Sequence, residues 1–515
     1  MVVTLFYLTF VLFFKHKFIF TFLFVMFFNP VIIAMKKFAL LAAVVAAFVY
    51  LPLQAQNPPA APKKVVIKGT VNNPQSKLMS INIFANPLTN PFSYTDTLDD
   101  KNSFRIIFDL GIPIPVLLVH GRGLSVPLYL EPGDSLVVTA NGQNYAGDMQ
   151  VVGTGKNHQL FLRDFDRTFA MRGITYNNPE KVRLLDFDAY RKFADSLRTA
   201  QTGFLQDFSQ KNAVTESFKA YAQILIDYPW ATALLNFPND HARYSGLQTI
   251  QIPPNYSNFL EQMKFLNDDA ILIPAYVQFI DAFFNSAFNQ QVISITPSYN
   301  YDNLYTDQYD FAAKVLKGKA VFYTKARAFA EGCNNGRIEN IFTKYQDFVN
   351  TNPYPEYKEV VDYMYNANKY LAAGSPAPQF TLESIEGKKV SLSDFKGKVV
   401  YLDFWATWCG PCKQQLPHSK VLKEQFAGKD VVFMYVSTDK DRTQWENYVK
   451  KEALPGVQLI ATGADAQRIG EVYQVRGIPK YFIIDRNGNI ANSKPRRPSE
   501  QPIVVQQIEE ALSIK

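Results

Sequence analysis

The chain has 515 residues, of which 47% are hydrophobic and 19% are charged, and it contains only three cysteines. This length is enough for about three domains, and the composition is that of a globular protein. The net charge of +7 is partly local, because residues 1–55 hold four lysines and no acidic residue, leaving 49 basic against 46 acidic residues elsewhere. This nearly balanced remainder has no basic stripe, so nucleic acid is not an expected partner.

A targeting segment is predicted for residues 1–55. From Met35 the sequence reads MKKFALLAAVVAAFVYLPLQAQ, with two lysines, an apolar run and small residues before a cleavage point after Ala55. This order is typical of a secretory signal peptide, and the run is short for a membrane span of about 20 apolar residues. Residues 1–34 are either the product of a start codon assigned too early or an additional membrane anchor. We therefore expect an exported protein in the periplasm or cell envelope, attached to a membrane only if the anchor is real.

Residues 64–153 are predicted to form an all-β, sandwich-like domain. Short runs rich in β-branched and aromatic residues, such as VVIKGTV, SFRIIFDL and PVLLVHG, are separated by Asn-Pro, Asp-Asp and Pro-Gly-Asp. The segment LYLEPGDSLVV is predicted to be a hairpin with Pro132-Gly133 at its turn. Regular short strands of this kind favour a sandwich or a barrel.

Residues 154–372 are predicted to form a helical domain rich in Phe and Tyr. Apolar residues recur at three- and four-residue intervals in segments such as HQLFLRDFDRTFA, YSNFLEQMKFL and YDFAAKVLKGKAVFYTKARAFA. We predict that the aromatic side chains form a core between helices; a peptide-binding groove is the alternative.

Residues 374–515 are predicted to form an α/β domain, because strands alternate with helices along this part of the chain. KVVYLDFWA and VVFMYVST have the apolar character of buried strands, and GPCKQQLPHSKVLKEQF and PIVVQQIEEALSIK have helical periodicity. The segment KYFIIDRNGNIANS is predicted to be a hairpin with Asn487-Gly488 at its turn.

The stretch TWCGPCK holds two of the cysteines, Cys409 and Cys412. The predicted order of strand, turn and helix places Cys409 at a helix N-terminus, where free N–H groups and the helix dipole favour a thiolate. A thiolate is the form that attacks a disulfide. Cys412 lies one turn into the helix, close enough to attack Cys409, and Pro411 suits the first turn. The pair is therefore predicted to be a redox-active dithiol.

Three alternatives for the pair have weaker support. A structural zinc site needs four ligands, and the chain offers no second CxxC. A structural disulfide in so short a loop would remove little entropy from the unfolded state. A peroxiredoxin would need Pro-x-x-x-Thr-x-x-Cys, but Leu402 and Ala406 occupy the Pro and Thr positions. We therefore predict no metal and no cofactor.

Two further side chains could take part in the chemistry. Cys333 is predicted to be a lone, semi-buried thiol, with a role as redox partner as the alternative. His418, on the helix after the cysteines, is predicted to be a surface histidine rather than a catalytic base.

Residues 375–515 resemble the thioredoxin fold and, within it, the envelope thiol:disulfide oxidoreductases of the TlpA/ResA type. The stretch APQFTLESIEGKKVSLSDFKGKVVYLDFWATWCGPCKQQLP matches the opening of that family, and RGIPKYFIIDRNGNI matches its second signature. The two motifs are highly specific together and cover about the last quarter of the chain.

This resemblance implies a role for each matching residue. Cys409 corresponds to the exposed attacking cysteine and Cys412 to the buried resolving one, which Trp408 and the Pro479 loop are expected to shield. Asp403 corresponds to the buried acid that helps to deprotonate the resolving thiol through water. Pro479 corresponds to the proline whose cis peptide faces the cysteines and helps to bind the substrate backbone. The residues expected to flank the site and contact substrate are Trp408, Gly410, Pro411 and Ile478.

The same resemblance implies a reductase of disulfides in client proteins, with a transmembrane thiol reductase as its electron donor. Gly410-Pro411 is similar to the dipeptide of thioredoxin, whose potential is about −270 mV, unlike strongly oxidising sites near about −120 mV. It differs from the glutamate that ResA-type members often carry there. The alternative is an envelope protein that binds a peptide or partner and uses its thioredoxin domain as a scaffold, although a scaffold has no need of the dithiol.

Overall fold

The computed structural model describes residues 61–121, 124–143 and 149–514, so the predicted targeting segment over residues 1–55 lies outside the described residues. From residue 64 onward the chain forms one compact unit. It has a sheet-rich N-terminal region, a helical middle region and a C-terminal thioredoxin-like α/β domain. Among the described residues, no helix is long and apolar enough to cross a membrane.

Short strands build the N-terminal region, and alternate side chains of most of them are buried, as expected for strands with one apolar face. They form two four-stranded sheets, of order β4-β1-β7-β8 and β3-β2-β5-β6. Apolar side chains from both sheets share one core, which includes Ile67, Ile81, Phe108 and Leu118. The strands are β1 Lys63–Asn72, β2 Leu78–Ile83, β3 Phe92–Thr97, β4 Ser103–Leu110, β5 Ile114–His120, β6 Leu124–Leu130, β7 Ser135–Asn141 and β8 Gln150–Gly153.

The predicted hairpin across Pro132-Gly133 is wrong. The turn is present, but β6 pairs antiparallel with β5, whereas β7 pairs parallel with β1 and antiparallel with β8. The chain therefore passes from one sheet to the other at this turn. Local periodicity does not distinguish the two arrangements, because both need the same alternation and the same turn residues.

The middle region packs most of its aromatic side chains into one core, as predicted. The rings of Tyr190 and Phe237, for example, are stacked with centroids 3.9 Å apart. The helices of this region are α1 Lys156–Thr168, α2 Pro179–Leu184, α3 Phe187–Lys211, α4 Glu216–Ser245, α5 Pro274–Phe288, α6 Leu304–Val315, α7 Lys319–Asn335, α8 Ile338–Phe342, α9 Tyr345–Thr351 and α10 Pro355–Asn368.

The long helix α4 was not predicted from the sequence, because Pro229 and Pro238 lie inside it and proline usually ends a helix. Pro238 has no N–H to donate to the carbonyl of Leu234. The hydroxyl of Tyr256 donates to that carbonyl instead, at 3.0 Å. Tyr256 itself begins a short 3-10 segment that ends at Gln262, where an α-helix was predicted.

A second difference from prediction lies between α6 and α7, in a segment predicted to be helical throughout. Gly318 interrupts it with a φ of +60°, a conformation that favours glycine. A Cβ atom at this position would lie 2.4 Å from Oδ1 of Asp268. The same oxygen accepts a hydrogen bond from the backbone N–H of Lys319 at 2.7 Å, which begins the next helix.

The C-terminal domain is built on a seven-stranded sheet of order β10-β9-β13-β12-β11-β14-β15. Strand β11 pairs parallel with β12 and antiparallel with β14, and every one of its residues is buried. The predicted hairpin at Asn487-Gly488 is confirmed by the antiparallel pair of β14 and β15. The strands are β9 Thr381–Ser384, β10 Lys389–Ser391, β11 Val399–Trp405, β12 Val431–Ser437, β13 Val457–Ile460, β14 Lys480–Ile484 and β15 Ile490–Asn492.

Helices cover both faces of this sheet. One face packs with α11, α12 and α14, and the other packs with α13. The helices are α11 Gly410–Gln425, α12 Arg442–Lys451, α13 Gly463–Val472 and α14 Gln501–Ser513.

The helical region and the thioredoxin-like domain also share part of a core. Ile338 and Leu371, from the helical region, belong to the apolar cluster that contains Phe404 and Ile484 of the sheet. The hydroxyl of Ser493 adds a polar contact, because it donates to Oε2 of Glu339 at 3.0 Å. The two regions are therefore packed together and not merely joined by a linker.

Candidate active site

Cys409 lies between the central strand and the helix that follows it. Strand β11 ends at Trp405, and Cys409 is the N-cap residue of α11. Its Sγ accepts a hydrogen bond from the backbone N–H of Cys412 at 3.1 Å. A sulfur at this position faces the N–H groups that a helix leaves without partners in its first turn. The local environment therefore favours negative charge on Cys409 when the sulfur is reduced.

The two cysteines are joined by a disulfide, with an Sγ–Sγ distance of 2.02 Å and a Cα–Cα distance of 5.3 Å. Cys409 is 4% exposed and Cys412 is 2% exposed. The expectation of an exposed attacking cysteine is therefore wrong for this oxidised state, since burial hardly distinguishes the two. What distinguishes them is position relative to α11, because Cys409 caps the helix and Cys412 lies inside it.

The loop before β14 faces the disulfide. The peptide bond between Ile478 and Pro479 is cis, as the resemblance implied. The carbonyl oxygen of Ile478 lies 3.7 Å from Sγ of Cys409. Trp408, by contrast, is 66% exposed, so most of its surface faces solvent. Gly410 and Pro411 are also exposed, on the first turn of α11.

Asp403 lies on β11, beside Tyr435 of β12 and Tyr481 of β14 in the strand register. Both tyrosines belong to the apolar cluster that contains Cys409 and Cys412, so Asp403 is on the sheet face beneath α11. Burial raises the pKa of its carboxyl well above the ordinary value. Its Oδ1 has no hydrogen-bond partner among the residues that the structure describes.

Sequence reasoning missed the two tyrosines beside Asp403. Burial, followed by the charge of Asp403, raises the pKa of both phenols above the ordinary value of tyrosine. The hydroxyl of Tyr481 lacks a hydrogen-bond partner within the described part of the chain. The hydroxyl of Tyr435 interacts with that of Ser419 on α11. Buried polar atoms normally have a partner, either in the protein or in an ordered water. These atoms make the sheet face under the dithiol unusually polar for a protein core.

A second residue missed by the sequence analysis is Asp439, which holds the loop before Cys409. Its buried carboxylate accepts hydrogen bonds from the backbone N–H of Thr407 at 2.9 Å and from the Thr407 hydroxyl at 2.8 Å. It also accepts one from the hydroxyl of Ser437 at 2.7 Å. The sequence did contain a signal for Asp439, because it follows β12 just as the cysteine loop follows β11. Parallel strands direct their carboxyl ends to the same edge of a sheet, so the two segments are expected to meet.

An open groove of about 650 Å³ lies beside this loop. It is bounded by the loop, the start of α11 and one side of α12. Its lining residues are Thr407, Lys413, Asp441, Thr443, Gln444, Asn447, Tyr448 and Lys451. The redox site is thus next to an open groove with mostly polar lining residues.

The other candidate residues are separate from this arrangement. His418 is exposed on α11, which confirms the predicted surface histidine. Cys333 lies in α7 and is fully rather than partly buried, and burial raises the pKa of its thiol to about 12. In the described ranges, no group of three or more His, Cys, Asp and Glu side chains could hold a metal ion.

Comparisons with known proteins agree on the C-terminal domain. A family model for redoxins matches residues 372–512. The thiol-disulfide oxidoreductase ResA of Bacillus cereus is 33% identical over 126 residues, which are 24% of this chain and 71% of that protein. ResA of Bacillus subtilis is 32% identical over 131 residues, which are 25% of this chain and 72% of that protein. The solved thioredoxin domain of a Bacteroides vulgatus thiol-disulfide oxidoreductase is 29% identical, covering 27% of this chain and 96% of that one, with a TM-score of 0.25.

A redoxin domain with a CxxC disulfide at a helix N-terminus defines a thiol:disulfide oxidoreductase. More narrowly, the chain belongs to the family of thiol-disulfide oxidoreductases that includes ResA.

Proposed function

We propose that the chain is an exported reductase of client-protein disulfides that acts through Cys409 and Cys412. The observation that carries this proposal is the hydrogen bond from the Cys412 N–H to Sγ of Cys409 at the start of α11. In the reduced enzyme the same N–H and the helix terminus stabilise a thiolate on Cys409. A lower thiol pKa increases the fraction of the nucleophilic form at neutral pH.

The reaction consists of two exchanges. The Cys409 thiolate attacks one sulfur of the client disulfide, which forms a mixed disulfide and releases the other client sulfur as a thiolate. The Cys412 thiolate then attacks Sγ of Cys409, restores the Cys409–Cys412 disulfide and releases the second client sulfur. Two electrons pass from the enzyme to the client, and the described structure corresponds to the enzyme after this step.

We assign the proton transfer to Asp403 and substrate positioning to the loop at Pro479. Asp403 lies on the sheet face beneath α11, so its carboxylate can accept the Cys412 proton through a water molecule before the second exchange. The cis Pro479 presents the Ile478 backbone beside Cys409, where an extended client segment can bind. The exposed flanking residues that complete this surface are Trp408, Gly410 and Pro411.

A reducing direction requires an electron supply. The Gly410-Pro411 dipeptide favours a potential near that of thioredoxin, about −270 mV. An oxidising periplasm would hold such a pair as the disulfide, so we propose a transmembrane thiol reductase as donor. Location in the periplasm or cell envelope follows from the signal peptide predicted from Met35.

We further propose three domains after the targeting segment at residues 1–55. Two four-stranded sheets on one core support a sandwich-like domain at 64–153. The aromatic core supports a helical domain at 154–372, and the redoxin match supports a thioredoxin-like domain at 374–515.

Trapping tests the assigned cysteine roles. After reduction, Cys412→Ala should accumulate mixed disulfides with client proteins, because nothing resolves the bond that Cys409 forms. The matched variant Cys409→Ala lacks the nucleophile and should accumulate none. The reverse pattern would show that the two roles are exchanged, and absence of adducts in both would argue for a scaffold.

Two further measurements test direction and export. Equilibration with glutathione should give a potential closer to about −270 mV than to about −120 mV. A strongly oxidising value would overturn the reductase assignment. N-terminal sequencing of the envelope protein should find a chain that begins near Gln56, whereas a membrane-bound product that retains residues 1–34 would contradict the predicted cleavage.

A further inference from the structure

The helical region reaches the loop that faces the disulfide. Arg476 is exposed and lies two residues before Ile478. Its guanidinium carbon is 5.9 Å from the ring centroid of Tyr363, on α10. Its Nη1 is 4.0 Å from Sδ of the neighbouring Met364. The surface beside Cys409 therefore continues, through Arg476, onto a helix outside the thioredoxin-like domain.

This part of α10 carries large aromatic side chains that the core does not use. Tyr363 is 62% exposed, and Tyr370, in the short 3-10 turn after α10, is 65% exposed. They are seven residues apart, and each directly precedes a buried residue, Met364 and Leu371 respectively. Tyrosine supplies much contact area for little loss of conformational freedom and is enriched at binding surfaces. We call Tyr363, Tyr370 and Arg476 the α10 surface.

The α10 surface is held firmly in place. Met364, next to Tyr363 in sequence, is buried in the aromatic core of the helical region. Leu371, next to Tyr370, is buried in the core shared with the thioredoxin sheet. A surface anchored on both sides in this way is preformed, so a ligand need not order it on binding.

We propose that the α10 surface binds the polypeptide segment that flanks the reacting cysteine of the client. The proposal rests on the proposed reduction of client disulfides. A ligand that contacts both sites must present a sulfur to Cys409. It must also have a chain long enough to reach α10. Arg476 and Ile478 are two residues apart, about 7 Å of extended chain at about 3.3 Å per residue. The carbonyl oxygen of Ile478 is 3.7 Å from Sγ of Cys409, so a client segment of a few residues beyond the reacting cysteine reaches Arg476.

The side chains of the surface indicate which segments bind best. The guanidinium of Arg476 lies near the Tyr363 ring, and Nζ of Lys369 lies 5.1 Å from the Tyr370 ring centroid. The rings favour aromatic and aliphatic side chains. The two cations favour acidic side chains and oppose basic ones. The preferred client segment is therefore extended, aromatic and acidic.

Two disulfide-bearing substrates test the inference. The short one is a cystine peptide with one residue on each side of the cysteine, and the long one adds six residues with aromatic and acidic side chains. The readout is the ratio of kcat/KM for the long substrate to that for the short one. In Tyr363→Ala the ratio should fall about fivefold through a higher KM. Tyr363→Phe, which keeps the ring, should retain the wild-type ratio.

Tyr244 offers a matched control, because it is an exposed tyrosine on α4 that belongs to neither the core nor the α10 surface. Tyr244→Ala should leave the ratio unchanged. If the wild-type enzyme reduces both substrates and Tyr363→Ala has the same kcat/KM ratio as the wild type, the inference is overturned. The proposed reductase function would be unaffected by that result. An enzyme that reduces neither substrate would overturn both. A long substrate with lysines in place of the acidic residues should bind more weakly, and equal binding would contradict the charge preference.

Discussion

The most unusual single residue is Asp403, a carboxyl buried in the middle of the central sheet. Burial raises its folded-state pKa above the value in an unfolded chain, about 3.9. The native state therefore binds this proton more tightly than the unfolded state does. At low pH the Asp403 carboxyl is protonated and its burial costs little. The free energy of unfolding falls as the pH rises through the folded-state pKa, because the buried carboxyl then becomes charged. A destabilising acid kept at this position is consistent with the proton transfer that we propose for it.

Asp403→Asn separates stability from chemistry. It should raise the Tm by at least about 2 °C at pH 8 and leave it unchanged at pH 4, since only the ionised carboxylate is costly. It should also slow the resolution of a trapped mixed disulfide about tenfold or more at pH 7, by removing the proton acceptor. Thermal unfolding and quenched-flow thiol release measure the two effects.

Glu424→Gln is the matched control, because Glu424 is an exposed carboxylate on α11. It should alter neither the pH dependence of the Tm nor the resolution rate. An equal gain in Tm for Asp403→Asn at pH 4 and pH 8 would show that the carboxyl is not destabilised by burial of its charge.

Asp439 acts through the loop that carries the cysteines. Its carboxylate accepts three hydrogen bonds, two of them from Thr407, and an asparagine side chain would present an NH₂ group to one of those donors. Asp439→Asn should therefore displace the loop and lower kcat/KM for disulfide reduction about tenfold. Thr407→Val loses a single one of these bonds and should have a smaller effect. Equal effects of the two variants would argue against a role for Asp439 in holding the backbone.

At the level of elements, α4 shows how tertiary contacts permit a helix that local preference opposes. Each internal proline removes one backbone hydrogen bond and crowds the preceding turn. The Tyr256 hydroxyl replaces the partner that Leu234 loses to Pro238. The 30-residue helix can therefore pass through the centre of the aromatic core without leaving that carbonyl unpaired.

Tyr256→Phe tests this compensation. The variant keeps the ring but leaves the Leu234 carbonyl buried and unpaired, which should lower the free energy of unfolding by about 1–2 kcal/mol. Urea denaturation measures the loss. Tyr244→Phe, at an exposed site on the same helix, should change the free energy by less than about 0.5 kcal/mol. If Tyr244→Phe lowers the free energy of unfolding as much as Tyr256→Phe does, the loss comes from removing any tyrosine hydroxyl. It would then not depend on the Leu234 carbonyl that Pro238 leaves without a partner.

For the whole molecule, the main question is how the helical region and the thioredoxin-like domain act together. Helix α8 contributes to both cores, because Ile338 packs with the sheet and Ile341 packs with the aromatic cluster. The side chain of Arg496 adds an ion pair across the boundary, with Nη2 3.4 Å from Oδ1 of Asp302. Since apolar burial dominates stability, we expect Ile338 to couple the two parts more strongly than the ion pair.

Two truncations on α8 measure this coupling. Ile338→Ala and Ile341→Ala should each cost about 2–4 kcal/mol, because both side chains are buried. Hydrogen exchange should separate them: Ile338→Ala should speed exchange in α8 and in the adjoining thioredoxin strands, and Ile341→Ala only in the helical region. Identical exchange patterns would show that α8 does not join the two cores.

Much of the redox site could be predicted from the sequence because its chemistry is local. Cys409 and Cys412 are three residues apart, so a strand, a turn and a helix suffice to bring the sulfurs together. The hairpin at Asn487-Gly488 was predictable for the same reason, since the turn residues determine the pairing of adjacent strands. The apolar run around Asp403 already indicated that this carboxyl would be buried.

Only the tertiary structure decided what surrounds these local features. Tyr435 and Tyr481 reach Asp403 through the register of two strands distant in sequence, and Asp439 reaches Thr407 across 32 residues. The passage of β6 and β7 into different sheets depends on β1, more than 60 residues earlier, and Tyr363 meets Arg476 only because two regions share a core. Local periodicity determines which face of an element is buried, whereas long-range packing determines what it is buried against.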